Sequence, residues 1–142
     1  MKCIILAGGY GTRLAEETST KPKPMVKIGK FPILHHIMEI YSSYGFNDFI
    51  ICTGYKKKII EDYYKKYLIK AENSYTKYYF NKKKNWKICC IFTGDRTQTA
   101  GRIYKLKKLL KSEENFFLTY GDGLANINIR KSLNFFKKQK KM

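Results

Sequence analysis

The run Cys3-Ile4-Ile5-Leu6-Ala7 holds no polar side chain and stops on Gly8 and Gly9, with Gly11 close behind. An apolar run that does not alternate has no solvent face, so it reads as a strand covered on both sides. Such a strand needs packed layers above and below it, which points to an α/β architecture with parallel neighbours. The glycines that follow take backbone conformations closed to other residues and let a ligand approach the main chain. Successive N–H groups in such a loop form a concave nest suited to phosphate oxygens. Arg13 adds a planar cation at the end of the loop, and Lys21 and Lys23, held by Pro22 and Pro24, add two more. The stretch from 3 to 25 reads as a polyphosphate holder.

The rest of the chain alternates strand and helix, the pattern of a parallel sheet with crossover helices. Pro32 opens a helix over 33–44, with Leu34, Ile37, Met38 and Tyr41 at helical spacing, and Gly45 marks its end. A strand over 48–53 follows, then a helix over 56–70 with Ile59, Ile60, Tyr63, Tyr64, Tyr67 and Leu68 along one side. Residues 74–80 and 86–93 read as strands joined by 81–85, and 94–102 as a polar loop. A helix carrying Ile103, Leu106, Leu109 and Leu110 leads to a buried strand over 115–120, which ends in Gly121-Asp122-Gly123. Open α/β sheets bind their ligands beyond the carboxyl ends of the strands, where this acidic turn falls. Residues 129–142 read as a last helix fraying into a lysine-rich tail.

Composition decides several alternatives. The 142 residues suit one domain. No stretch approaches the ~20 apolar residues of a membrane span, and no signal segment opens the chain, so a cytoplasmic location and no membrane contact are expected. Cys3, Cys52, Cys89 and Cys90 all lie in apolar runs, as core thiols in a reducing compartment would. Cys89 and Cys90, as strand neighbours, face opposite ways. His35 and His36 are adjacent on a helix, share no face, and read as packing or surface residues rather than a metal pair. The net charge is +18, but lysine dominates and Asn, Ile, Tyr and Phe are abundant, the mix an AT-rich genome encodes whatever the function. No recognition helix, aromatic RNA-binding signature or zinc finger accompanies the charge, so no specific nucleic acid is expected.

Neither the Walker spacing nor the dinucleotide fingerprint is present in the glycine loop. The glycines with Thr12-Arg13-Leu14, Thr18 and Lys21-Pro22-Lys23-Pro24-Met25 instead resemble the sugar-1-phosphate nucleotidyltransferases, most closely the glucose-1-phosphate cytidylyltransferases. Thr93-Gly94-Asp95 leading to Thr99-Ala100-Gly101-Arg102, and then Tyr120-Gly121-Asp122-Gly123, are similar to the cytidylyltransferase branch. The resemblance implies a Rossmann-like, mostly parallel sheet with helices on both faces, the nucleotide-diphospho-sugar transferase fold. It would form a single domain over 1–142, the N-terminal nucleotide-binding portion, truncated at the C-terminus.

Carried onto this sequence, the resemblance implies that the backbone of Leu6, Ala7, Gly8, Gly9, Tyr10 and Gly11 holds the nucleotide. Thr12 and Arg13 would hold its β- and γ-phosphates, and Lys23 would lie against the α-phosphate. Thr99, Arg102 and Gly121 would shape the nucleotide site, and Asp122 would bind Mg²⁺. Arg13, Lys23 and Asp122 are thus the expected catalytic residues. The implied reaction joins CTP and glucose-1-phosphate into CDP-glucose and pyrophosphate, a step in nucleotide-sugar supply for O-antigen and lipopolysaccharide. The family's domain continues past this length, with a lysine for the sugar phosphate and a second metal-binding aspartate on later strands, and a full-length chain would be a homo-oligomer. A binding module that holds nucleotide without turnover, and a basic nucleic-acid binder, stay open beside the enzyme.

Overall fold

In the computed structural model, which describes residues 1–9 and 20–139, every side chain of β1 (Cys3–Ala7) is buried. A single 3-10 turn at Lys23–Met25 leads through a two-strand ribbon, β2 (Lys27–Ile28) and β3 (Phe31–Pro32), into α1 (Ile33–Ser43). There follow β4 (Asp48–Thr53), α2 (Lys57–Tyr64), β5 (Leu68–Ala71), β6 (Thr76–Asn81), β7 (Trp86–Phe92), α3 (Thr99–Lys105), α4 (Lys107–Leu110), β8 (Phe117–Tyr120) and α5 (Ile129–Gln139).

The main sheet runs β5-β6-β7-β4-β1-β8. Its centre is parallel: β1 pairs with β4 from Cys3↔Phe49 to Ala7↔Thr53, and with β8 from Cys3↔Phe117 to Leu6↔Tyr120. β7 lies parallel on the other side of β4. From β1 the parallel strands β4 and then β7 extend in one direction, β6 and β5 follow beyond β7 in antiparallel pairings, and β8 is added on the opposite side of β1. That reversal opens a crevice at the carboxyl ends of β1 and β8, the usual ligand position in such sheets.

The period of two in the strands divides the core. Cys3, Ile5, Phe49, Ile51, Ile88 and Cys90 point to the face covered by Leu34, Ile37 and Met38 of α1 and Ile60 and Tyr64 of α2. Ile4, Leu6, Ile50, Cys52, Cys89 and Ile91 point to the other, beneath Leu106, Leu109 and Leu110. Helices on both faces are therefore realised, and Cys89 and Cys90 do part company. His35 is buried between Phe31 and Trp86, with ring centroids 4.4 and 4.8 Å away, and His36 donates from Nε2 to Ile28 O at 3.0 Å.

Four expected elements differ. The strand read as buried over 115–120 is β8, Phe117–Tyr120, which lies at the edge of the sheet with Leu118 and Tyr120 exposed and Phe117 and Thr119 half-buried, because among the described residues only β1 flanks it. The helix read over 56–70 stops at Tyr64, tightens into a 3-10 turn over Lys65–Tyr67, and gives way to β5, antiparallel to β6. Leu68 and Ile69 are about half and two-thirds exposed, so their helical spacing marks no buried stripe, and main-chain pairing at the sheet edge decides the structure instead. The strand read from 74 begins at Thr76 because Asn73 Oδ1 accepts the N–H groups of Tyr75 and Thr76, closing a turn. The polar loop over 94–102 ends early, since Gln98 is extended and helical hydrogen bonding begins at Thr99. Among the described residues, no helix is long and apolar enough to cross a membrane.

Candidate active site

Four segments meet in a cleft of about 440 Å³ at the carboxyl edge of the sheet. The end of β1 contributes Leu6, Ala7, Gly8 and Gly9; the 3-10 turn contributes Lys23 and Pro24; the start of α3 with its approach contributes Thr97, Gln98, Thr99 and Arg102. Tyr120 and Asp122, at the end of β8, complete the lining.

Each segment is held by a local device. Pro22 is extended (φ −68°, ψ 148°), and Pro24 stands at the start of the turn where no donor is needed. Met25 N donates to Pro22 O at 2.8 Å and Val26 N to Lys23 O at 3.0 Å, while Pro24 and Met25 are buried. The stem of Lys23 therefore projects from an anchored backbone. Gly121 N donates to Leu6 O at 2.9 Å. A Cβ on Gly121 would stand 2.8 Å from Pro24 Cγ and 3.1 Å from Leu6 O. Glycine here lets the β8 turn, the proline turn and the end of β1 close on one another. That closure brings Lys23 Nζ to 3.7 Å from Asp122 Oδ2.

Arg102 lies beneath the cleft and is buried. Its Nη1 donates to Thr93 Oγ1 at 2.6 Å and to Thr53 O at 3.2 Å; its Nη2 donates to Gly8 O at 2.8 Å and Asp95 O at 3.4 Å. Burial pulls its pKa below the ordinary arginine value, against the field of Cys52 and Asp95. No carboxylate pairs with it in these contacts, so its charge rests on carbonyl dipoles and a hydroxyl.

Of the residues expected from sequence, Leu6, Ala7, Gly8, Gly9, Lys23, Thr99, Arg102 and Asp122 line this one cleft, and Gly121 packs against its wall. Tyr10, Gly11, Thr12 and Arg13 lie outside the described residues. Pro24, Thr97, Gln98 and Tyr120 line the cleft as well. Pro24 and Tyr120 stand in the motifs quoted from the sequence; the signal of Thr97 and Gln98 is positional, since they sit within a segment that converges at the strand ends. No group of three or more His, Cys, Asp and Glu side chains able to hold a metal occurs among the described residues. Among the described residues, Asp122 is the single carboxylate in the lining. Magnesium is commonly held by one or two carboxylates with water and substrate phosphates filling the other positions, so the donor set suits a metal that arrives with a polyphosphate and does not suit a resident cage.

Residues 2–142 match the Nucleotidyl transferase family. The chain is 44% identical over 145 residues to the glucose-1-phosphate cytidylyltransferase of Salmonella typhimurium, covering 96% of this chain and 56% of that protein. A crystal structure of HddC from Yersinia pseudotuberculosis complexed with GMP-PN superposes with a TM-score of 0.69 at 26% identity, over 94% of this chain and 53% of that one. UDP-glucose pyrophosphorylase complexed with UDP-glucose shares the fold, with a TM-score of 0.72 at 23% identity, over 98% and 54% of the two chains. The chain spans about half the length of these relatives. Matched from its second residue onward, and folded on the sheet these proteins share, the chain belongs to the nucleotidyl transferase family.

Proposed function

We propose that the cleft binds CTP with Mg²⁺ and serves the transfer of its cytidylyl group to glucose-1-phosphate, releasing pyrophosphate. The observation that carries this reading is the meeting of Lys23 and Asp122 beside the Leu6–Gly9 backbone at the point where the strand order reverses. One cation for phosphate oxygens and one carboxylate for a hard metal stand side by side there. The 44% identity to the Salmonella cytidylyltransferase supports the choice of base and sugar.

In this reaction an oxygen of the sugar phosphate attacks the α-phosphorus of CTP. The bond from that phosphorus to the bridging oxygen of the β-phosphate breaks, and pyrophosphate departs with the electron pair. The nucleophile is already an anion, so the demand on the protein is alignment and neutralisation of charge rather than deprotonation. Lys23 places a compact ammonium at the reacting phosphate. Asp122 would hold the metal, which supplies Lewis-acid polarisation of phosphate oxygens. The main-chain N–H groups after β1 cradle the nucleotide, with Arg13 and Thr12 on its outer phosphates. Supply of a nucleotide sugar for cell-surface polysaccharide, in a cytoplasmic homo-oligomer, is the setting this reaction fits.

A second reading has a specific observation behind it: among the described residues the cleft offers one carboxylate, Asp122, for a metal. In that reading the chain holds CTP without turnover. One experiment separates the two: CTP, glucose-1-phosphate and Mg²⁺ are supplied, pyrophosphate release is followed, and CTP binding is measured by calorimetry. Release that is abolished in both Lys23→Ala and Asp122→Asn establishes the transferase reading. Binding that needs Lys23, without release, leaves a nucleotide-binding module. Absence of CTP binding rejects both.

A further inference from the structure

We infer that Arg102 is a positioning residue that holds the first turn of the nucleotide-carrying loop in shape through Gly8, rather than a direct ligand of the nucleotide. The inference rests on the nucleotide reading of the cleft and assigns one of its walls a different task.

The geometry is that of a bolt. The guanidinium reaches the carboxyl ends of three parallel strands at once: Gly8 O just past β1, Thr53 O closing β4, and Thr93 Oγ1 just past β7. Both terminal nitrogens are engaged, and the weaker contact to Asp95 O ties in the approach to α3. Thr93 repeats the link independently, since its N–H and its hydroxyl both donate to Thr53 O at 2.9 Å. The planar fork of arginine is the one side chain that can serve acceptors spread over such an arc.

Two glycines are shaped to this side chain. A Cβ on Gly8 would overlap the guanidinium, lying 2.5 Å from Cζ. A Cβ on Gly54 would stand 2.9 Å from Nη1, 2.5 Å from Gly8 O and 2.8 Å from Gly94 O. Gly8 is not in the left-handed region, since among the described residues the positive-φ glycines are Gly29, Gly45 and Gly94. Its lack of a side chain is therefore a matter of room for Arg102 and not of backbone conformation. Gly8 begins the stretch whose N–H groups are to face phosphate, so the position of its carbonyl fixes the orientation of the peptide that follows. With its terminal donors turned onto three carbonyls and the Thr93 hydroxyl, Arg102 has little left to offer an incoming phosphate.

The test measures CTP affinity by calorimetry, with Mg²⁺, in the full chain and in Arg102→Lys, Arg102→Ala, Gly8→Ala and the Gly8→Ala/Arg102→Ala pair, with a thermal melt of each to confirm folding. Lysine keeps the charge and loses the fork, so Arg102→Lys is expected to weaken CTP by roughly ten- to a hundredfold, the scale of a small misplacement of binding groups. Gly8→Ala should weaken it comparably with Arg102 present. The double variant should bind about as well as the weaker single variant, because both changes undo the same contact. Guanidinium ion should restore affinity to Arg102→Ala where ammonium at equal ionic strength does not. Should Arg102→Ala not fold, Arg102→Lys and Gly8→Ala carry the comparison. A folded Arg102→Lys that binds within about twofold of the unmodified chain, or losses that add in the double variant, overturns the inference. Failure of the unmodified chain to bind CTP is a different result: it removes the nucleotide reading, and this role with it.

Discussion

Lys23 Nζ and Asp122 Oδ2 stand 3.7 Å apart across the mouth of the cleft, with side chains about one-fifth and two-fifths exposed. A pair this open holds its partners by about 0–1 kcal/mol. It is therefore readily exchanged: a phosphate oxygen can replace the carboxylate at Lys23, and a cation can replace the ammonium at Asp122. On the proposed function, each replacement would free the group the other ligand needs, so that metal and polyphosphate would reinforce one another.

That exchange separates two variants. Lys23→Ala should weaken CTP about tenfold with or without Mg²⁺, because a charge-assisted contact is lost in both cases. Asp122→Asn should leave affinity in EDTA equal to or above that of the unmodified chain, since Lys23 is released, and should abolish most of the gain that Mg²⁺ brings. Calorimetry in EDTA and in Mg²⁺ reads both. Equal Mg²⁺ gains in the Asp122→Asn and unmodified chains would refute the exchange.

Glycine substitutions should divide by contact. Gly121→Ala forces a methyl against Pro24 Cγ at 2.8 Å and should cost roughly 1–3 kcal/mol, the range for overpacking, while moving Lys23 away from Asp122. Gly9→Ala meets no described atom within 4 Å and should change the urea midpoint little. Urea titrations of both variants check the contrast.

Acid should loosen the fold through His35. Its ring is buried, Nε2 makes no hydrogen bond among the described residues, and Nδ1 lies 3.3 Å from Tyr63 Oη. Burial holds its pKa below the ordinary 6.5, opposed by Glu39 and aided by Lys84 and His36. The unfolded chain then takes up a proton before the native one does, so stability falls as pH drops from 6.5 toward the lower native value. Glu39, held below 4.5 chiefly by its hydrogen bond from Lys84 at 2.6 Å, contributes stability that is present above 4.5 and is lost on further acidification. Trp86, the chain's one tryptophan, packs on His35 and reports unfolding by fluorescence. His35→Phe should flatten the midpoint between pH 5 and 7, and an unchanged slope would exclude His35 as the origin.

The thiols should be silent until the chain unfolds. Burial pushes the pKa of Cys52 and Cys89 up to about 12 and raises those of Cys3 and Cys90. At pH 8 a disulfide reagent such as DTNB should release colour from none of the four quickly in the native protein and from all four in denaturant.

The central strands were legible because a strand covered on both sides admits no polar residue, and Cys3–Ala7 and Phe49–Cys52 obey that without exception. β5 was not, since Leu68 and Ile69 are half to two-thirds exposed and their apolar spacing is helical only by chance. For the cleft, Lys23 and Asp122 could be named from their glycine and proline neighbours. The work of Arg102 could not: three of its four partners are carbonyl groups, which every residue carries, and no side-chain pattern marks which of them a guanidinium will meet. Thr97 and Gln98 belong to the cleft by location alone.

The contact from Arg102 to Gly8 joins residues 94 apart in the chain, and Gly121 closes on Leu6 from farther still. Closing so wide an interval is slow and comes after local helices and hairpins have formed. A chain made from its N-terminus onward therefore completes β1, β4 and β7 while the turn after β1 still lacks both of its fastenings. The first segment of the cleft to be synthesised is the last to acquire its shape, so until Arg102 and Gly121 have been added, a nascent chain has no formed pocket in which to trap nucleotide.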